Sequence, residues 1–209
     1  MLGIILLDYA DREDVLVLAL PRGGVAVGFE VSRALHLPLD ILVIRKLGVP
    51  GREELAMGAV ASGGVRVVNT DVITSFGISQ AVLDSLAARK AREVMELENT
   101  CRGDAPRLDV RGRTCIVVDD GLATGATMRA GIAALRSRGA ASVVAAAPVA
   151  SRRACALVAA EADDLACLLT PPVLLAIGEW YVDFTQATED EVRDLLARAR
   201  QEAPGAAAA

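Results

Sequence analysis

The stretch VVDDGLATGATM, from Val117 to Met128, joins three patterns that together decide the fold. It closes an apolar run that begins at residue 114, continues with the adjacent carboxylates Asp119 and Asp120, and ends in small and hydroxyl-bearing residues that lead into a helical pattern. An apolar run of this length predicts a buried strand. A strand, a tight loop and a helix in this order are typical of parallel sheets, in which ligands bind beyond the carboxyl ends of the strands.

The same alternation extends along the chain on both sides of this stretch. Helical patterns with one apolar face separate most of the strand-like runs. These runs lie at residues 15–20, 39–44, 114–118, 142–149 and 165–170. The sequence therefore predicts an α/β fold with a twisted, mostly parallel sheet and helices on both faces.

The segment between the second and third runs breaks this alternation. Residues 46–54 are rich in Gly and Pro and predict a loop, and residues 56–68 predict either one bent strand or a hairpin. Ser79 is expected to cap a charged helix that reaches about Glu98. We expect residues 70–108 to form a helical insertion that acts as a small hood.

The remaining organisation is simple. A chain of 209 residues without a long linker predicts a single domain, residues 1–209. Residues 188–191 read Thr-Glu-Asp-Glu, a capping box that predicts the start of a last helix. Residues 204–209, Pro-Gly followed by four Ala, are expected to be a frayed tail.

Composition and charge narrow the classes of function. The net charge of −5 argues against a nucleic-acid partner, because such proteins usually carry a basic patch. No window approaches the roughly 18 consecutive apolar residues of a membrane span, so we expect no membrane partner and a cytoplasmic protein. A homo-oligomer is left open.

The acidic pair and the loop after it predict a ligand with hydroxyl groups at one end and a phosphate at the other. Two adjacent carboxylates need a metal, a basic side chain or hydroxyl donors beside them. The small loop lets backbone N–H groups approach a ligand, Thr124 and Thr127 add hydroxyls, and the following helix directs its N-terminus at the same place. A ribose 5-phosphate has this pattern of groups.

Three stretches resemble type I phosphoribosyltransferases. Residues 115–127, CIVVDDGLATGAT, resemble the motif that binds phosphoribosyl pyrophosphate (PRPP), with Gly121 where the family more often has a branched aliphatic residue or Ser. Residues 21–24, PRGG, resemble the pyrophosphate loop, and Arg45-Lys46 resembles the pair before the mobile catalytic loop. The segments LPRGG, RKLGVPG and GEWYVDF are also similar to a group of bacterial phosphoribosyltransferase-domain proteins of uncertain substrate.

The resemblance implies a role for each matching residue. The acidic pair would hold the ribose 2′- and 3′-hydroxyls, the small loop the 5-phosphate, and the Arg-Gly-Gly turn the pyrophosphate. The implied catalytic residues are Arg22, Lys46, Asp119 and Asp120. The implied PRPP contacts are Arg22, Gly23, Gly24, Arg45, Lys46, Asp119, Asp120, Gly121, Ala123, Thr124, Gly125, Ala126 and Thr127. Mg²⁺ is the implied cofactor, bound mainly through PRPP, with the two Asp side chains as further candidate ligands.

The implied reaction is transfer of a 5-phosphoribosyl group from PRPP to a nitrogenous base or related acceptor, as in nucleotide metabolism. Trp180 and Tyr181 are the candidate acceptor contacts, although they serve equally well to pack the last helix onto the core. Two alternatives remain: a regulator that senses PRPP or nucleotides without catalysis, and a hydrolase or phosphorylase of ribose phosphates on the same Rossmann-like fold. The sequence specifies neither a purine nor a pyrimidine.

Overall fold

A computed structural model describes residues 1–202, so the predicted frayed tail at 204–209 lies outside the described residues. The strands are β1 (Val15–Ala19), β2 (Leu39–Ile41), β3 (Ile44–Val49), β4 (Arg52–Ala61), β5 (Val65–Val68), β6 (Thr114–Val118), β7 (Ser142–Val149) and β8 (Asp164–Leu169). The helices are α1 (Leu2–Ile5), α2 (Gly24–Leu35), α3 (Thr70–Ser75), α4 (Gln80–Arg102), α5 (Ala126–Ser137), α6 (Arg152–Ala159) and α7 (Glu189–Glu202). Within residues 1–202, no helix combines the length and the apolar character that a bilayer span requires.

The main sheet has five parallel strands in the order β2-β1-β6-β7-β8, which confirms the predicted α/β fold. Alternate residues of β1 face opposite layers because of the pleat. Val15, Val17 and Ala19 lie in a core with α2, α4 and α7. Leu16 and Leu18 lie in a second core with α5 and α6. Burial of both faces explains why β1, β6 and β7 read as continuous apolar runs.

The expectations for the segment after β1 and α2 are partly wrong. Residues 39–44 are not one strand, because β2 ends at Ile41 and β3 begins a separate sheet at Ile44. Residues 46–54 are not a loop either: β3 and β4 form an antiparallel hairpin with a tight turn at Pro50 and Gly51. The hairpin alternative for residues 56–68 is confirmed, since β4 pairs with β5 around a turn. Pro50 and Gly51 occupy the turn itself, where Gly51 has a φ of 75°, so these two residues favour the hairpin.

Helix α4 packs one face into the core and is fixed at both ends. Ser79 caps it as predicted, accepting a hydrogen bond from the N–H of Val82 at 3.4 Å. At the other end the buried Arg102 guanidinium donates to Asp40 on β2 at 2.9 Å and contacts Glu98. The helix therefore continues one turn beyond the expected end near Glu98. Its role as a hood over an acceptor stays a prediction.

The chain crosses back over the sheet after β8. This crossover segment, residues 170–188, leaves the edge strand β8 and reaches α7, which packs beside α2 and α4. The predicted capping box is confirmed, because the Thr188 hydroxyl accepts from the N–H of Glu191 at 3.2 Å while the Glu191 carboxylate accepts from the N–H of Thr188 at 2.7 Å. The capping box therefore fixes the end of the crossover segment at the start of α7.

Candidate active site

The loops that follow β1 and β6 contact each other directly at the carboxyl edge of the sheet. A Cβ atom on Gly23 would lie 1.8 Å from Asp120 Oδ2, and one on Gly24 would lie 2.7 Å from the carbonyl oxygen of Val118. The peptide between Pro21 and Arg22 is cis. Only glycine leaves room for this approach, so the Arg-Gly-Gly turn and the acidic pair form one continuous surface.

The acidic pair is partly buried, and its two carboxyl groups lie side by side. Burial, and then the neighbouring charge of Asp120, raises the pKa of Asp119 to about 8. Burial also raises the pKa of Asp120. Asp119 Oδ1 accepts a hydrogen bond from the N–H of Asp120 at 2.9 Å, and no basic side chain of the described residues offsets the two charges. Hydroxyl donors or a cation from a ligand would therefore compensate the charge of the pair.

The loop after the acidic pair is an open cup at the start of α5. Gly125 has a φ of 74° and precedes the helix, and the Thr124 hydroxyl accepts from the N–H of Ala126 at 3.3 Å. The cup encloses about 140 Å³. Its lining residues are Asp119, Gly121, Leu122, Ala123, Thr124, Gly125, Ala126, Thr127 and Met128. Backbone N–H groups at a helix N-terminus are suited to an anion such as phosphate.

The cup is fastened to the neighbouring strand connection. The Ser151 hydroxyl, which caps α6, donates to the carbonyl oxygen of Ala123 at 2.8 Å. The N–H of Leu122 donates to the carbonyl oxygen of Val149 at 2.9 Å. Gly125 lies so near α6 that a Cβ there would be 3.0 Å from Val158 Cγ2. The phosphate-sized cup is thus held by β7 and α6 before any ligand arrives.

The three basic residues predicted at the pyrophosphate each contact a different residue. Arg22 donates to Gln186 Oε1 of the crossover segment at 2.7 Å. Arg45 Nε lies 3.8 Å from a carboxylate oxygen of Glu93 on α4, while Lys46 Nζ lies 3.2 Å from one of Glu54 across the hairpin. Arg22 belongs to the turn that contacts the acidic pair, whereas Arg45 and Lys46 alternate on β3 and are paired elsewhere. Their predicted role at the pyrophosphate stays a prediction.

The crossover segment contributes contacts that the sequence reasoning missed. A Cβ on Gly121 would lie 2.5 Å from Ile177 Cδ1, so the unusual glycine accommodates Ile177. The Tyr181 hydroxyl donates to the carbonyl oxygen of Asp120 at 2.6 Å, and burial and the two Asp side chains raise the pKa of Tyr181. The departure at Gly121 was the one signal in the sequence, because a missing side chain implies that another group fills the space.

The two predicted acceptor residues therefore differ in their surroundings. Tyr181 fastens the crossover segment to the acidic pair and stacks at an angle on Phe184, with ring centroids 5.1 Å apart. Trp180 remains 43% exposed. The Tyr181 hydroxyl is engaged, whereas the Trp180 ring is partly exposed, and its contact with an acceptor stays a prediction.

The carboxylates of the acidic pair are suited to binding Mg²⁺ together with a phosphorylated ligand. No group of three or more His, Cys, Asp or Glu side chains able to hold a metal occurs among residues 1–202. Mg²⁺ is commonly bound by one or two carboxylates together with substrate phosphates and water. Asp119 and Asp120 supply those carboxylates, so they suit a metal that arrives with a phosphorylated ligand.

Comparisons with known proteins identify the family of the chain. The family described as "Phosphoribosyl transferase domain" matches residues 1–171. The Mycobacterium tuberculosis (strain ATCC 25618 / H37Rv) protein named "Putative phosphoribosyl transferase Rv0571c" is 43% identical over 188 residues, which are 90% of this chain and 42% of that protein. The chain thus spans less than half the length of the curated relatives it matches. The crystal structure of TT1426 from Thermus thermophilus is similar over 94% of this chain and 95% of that one, with 36% identity and a TM-score of 0.84. The chain belongs to the phosphoribosyl transferase domain family.

Proposed function

We propose that this protein transfers the 5-phosphoribosyl group of PRPP to a nitrogenous base or related acceptor and releases pyrophosphate in the presence of Mg²⁺. The observation that carries the proposal is the contact between Gly23 and Asp120 beside the cup at Thr124. One surface then offers acceptors for a ribose diol, donors for its 5-phosphate and a glycine turn for the leaving group.

The residues of the chain account for each part of this reaction. Asp119 and Asp120 accept hydrogen bonds from the ribose 2′- and 3′-hydroxyls, while the cup from Ala123 to Thr127 holds the 5-phosphate. When the C1–O bond breaks, the electron pair leaves with pyrophosphate and positive charge develops on the sugar. The carboxylates stabilise that positive charge, and Arg22 stabilises the departing oxygens. Mg²⁺, when bound, supplies further charge for the leaving group.

Positioning supplies the rest of the rate enhancement. A ribose fixed at both its diol and its phosphate has C1 in a defined place, so an acceptor nitrogen needs only to be held opposite the leaving group. The exposed Trp180 ring, close in the chain to the hydrogen-bonded Tyr181, is the candidate surface for a planar acceptor. No nucleophilic side chain is needed for this direct displacement.

Release of pyrophosphate tests the proposal and separates it from its alternatives. The purified protein would be incubated with PRPP, Mg²⁺ and each member of a panel of purine, pyrimidine and pyridine bases. Release that depends on an added base supports transfer, and release without one indicates a hydrolase. Absence of release with every base, together with measurable PRPP binding, would replace the proposal by a sensing role.

Two matched variants test whether the acidic pair is needed for the reaction. Asp120→Asn should abolish base-dependent release, whereas Asp194→Asn on the exposed side of α7 should leave it unchanged. Equal release from wild type and Asp120→Asn would contradict the assignment of the acidic pair.

A further inference from the structure

A groove of about 460 Å³ lies between α5 and the antiparallel sheet, and apart from Lys46 and the cup residues Ala126 and Thr127 its lining has no part in the reaction described above. Small side chains on both walls create the space. They include Ala126, Ala130 and Ala133 of α5, spaced by about one helical turn, and Gly58 and Ala59 of β4. The volume falls in the range of small-molecule sites, which are mostly apolar with a few polar groups.

The groove is continuous with the phosphate cup. Ala126 and Thr127 line both spaces, so the groove begins where the first turn of α5 meets the cup. In the proposed orientation of PRPP this is the 5-phosphate end of the ligand, and C1 lies at the other end, near Gly23. An acceptor base therefore does not lie in the groove, whereas a group attached to the 5-phosphate enters it directly.

Charged side chains at the groove suit a second phosphate. Lys46 and Arg129 both line it, together with the carboxylate of Glu161. Arg129 is paired with Glu161, while Lys46 is paired with a Glu54 side chain that is fully exposed. An ion pair with a fully exposed partner contributes little to stability. The Lys46 ammonium can therefore leave Glu54 and bind a ligand at little cost. Beyond these groups, Ala59 and Val67 provide an apolar wall for a flat or aliphatic group.

We propose that the site also binds ribose phosphates whose 5-phosphate carries a further group through a pyrophosphate link, as in a nucleoside diphosphate ribose. The ribose and the first phosphate occupy the acidic pair and the cup, the second phosphate lies beside Lys46, and the nucleoside lies along α5. This position of Lys46 replaces its predicted contact with the pyrophosphate on C1. This inference rests on the proposed function, because it uses the same ribose position.

The test compares two ligands that differ only in the group on the 5-phosphate. Calorimetric titration with ADP-ribose and with ribose 5-phosphate should show that ADP-ribose binds at least about tenfold more tightly. Ala130→Leu fills the groove and should remove this advantage while leaving the affinity for ribose 5-phosphate unchanged. Ala156→Leu, at an exposed position of α6 outside the groove, is the matched control and should preserve the advantage.

The outcomes distinguish this inference from the proposed function. Equal or weaker binding of ADP-ribose, with ribose 5-phosphate still bound, would overturn the inference and leave the proposed function standing. An advantage that survives in Ala130→Leu would also overturn it. If neither ligand binds, both fail, because the shared ribose site is then wrong. Lys46→Gln gives a second readout and should weaken ADP-ribose more than ribose 5-phosphate.

Discussion

Replacement of Asp119 by Asn tests the electrostatics of the site through protein stability. The pKa of Asp119 is raised to about 8 in the folded protein, compared with 3.8 for an ordinary Asp. The folded state therefore holds its proton more tightly than the unfolded state does. Between about pH 4 and pH 8 the unfolded chain has lost this proton and the folded one has not, so the free energy of unfolding falls as the pH rises.

The size of the effect follows from the same two pKa values. Their difference corresponds to a ceiling of about 6 kcal/mol, reached above pH 8. Because the Asp119 carboxyl keeps some contact with solvent, which screens its charge, we expect roughly half of this ceiling, on the order of 3 kcal/mol. Asn resembles the protonated acid and can still accept the hydrogen bond from the N–H of Asp120.

Urea unfolding at pH 5 and at pH 9 measures this difference. The variant should be more stable than wild type by about 1–2 kcal/mol at pH 5, where the unfolded chain is already ionised, and by about 3 kcal/mol at pH 9. Asp194→Asn, which changes an exposed carboxylate on α7, is the matched control. A constant difference between wild type and Asp119→Asn at both pH values would refute the reasoning, because the Asp119 carboxyl would then titrate normally.

Three further substitutions test contacts around the pair. Gly23→Ala places a methyl group against the Asp120 carboxylate and should weaken PRPP binding at least about tenfold; unchanged affinity in a titration would argue against a shared surface. Gly121→Ala should lower the free energy of unfolding by about 1–3 kcal/mol, and adding Ile177→Ala should recover part of the loss; additive effects in this double-mutant cycle would rule out the contact. Tyr181→Phe removes the hydrogen bond to the Asp120 carbonyl and should cost about 1 kcal/mol in urea unfolding, with a larger KM for PRPP; wild-type values for both would contradict its positioning role.

Local pattern was sufficient to predict the parallel sheet. Strands β1, β6 and β7 are buried on both faces, so every residue in them is apolar or small and the runs are unmistakable. The helix caps at Ser79 and Thr188 were also predictable, because a capping side chain accepts a hydrogen bond from a backbone N–H only three residues away. In these elements the decisive contacts are local or repeat regularly along the chain.

Long-range contacts explain most of what the sequence did not reveal. The β3–β4 hairpin was missed although its contacts are local, because Gly and Pro at the turn were interpreted as a loop and the pairing of the flanking residues was not. The contacts of the acidic pair with Gly23 and Tyr181 join residues far apart in the chain, and so does the link between Arg22 and Gln186. A single sequence shows the residue types at these positions but not which of them meet in the fold.

Calorimetric titration with PRPP is the most direct test of the central claim. Wild type should bind PRPP in the presence of Mg²⁺ and lose most of that affinity in EDTA. Asp120→Asn should bind poorly under both conditions, while Asp194→Asn should behave as wild type. At pH 7 binding should also release protons, because hydroxyl donors and Mg²⁺ beside Asp119 favour its ionised form. Absence of PRPP binding by the folded wild-type protein, with and without Mg²⁺, would contradict the account.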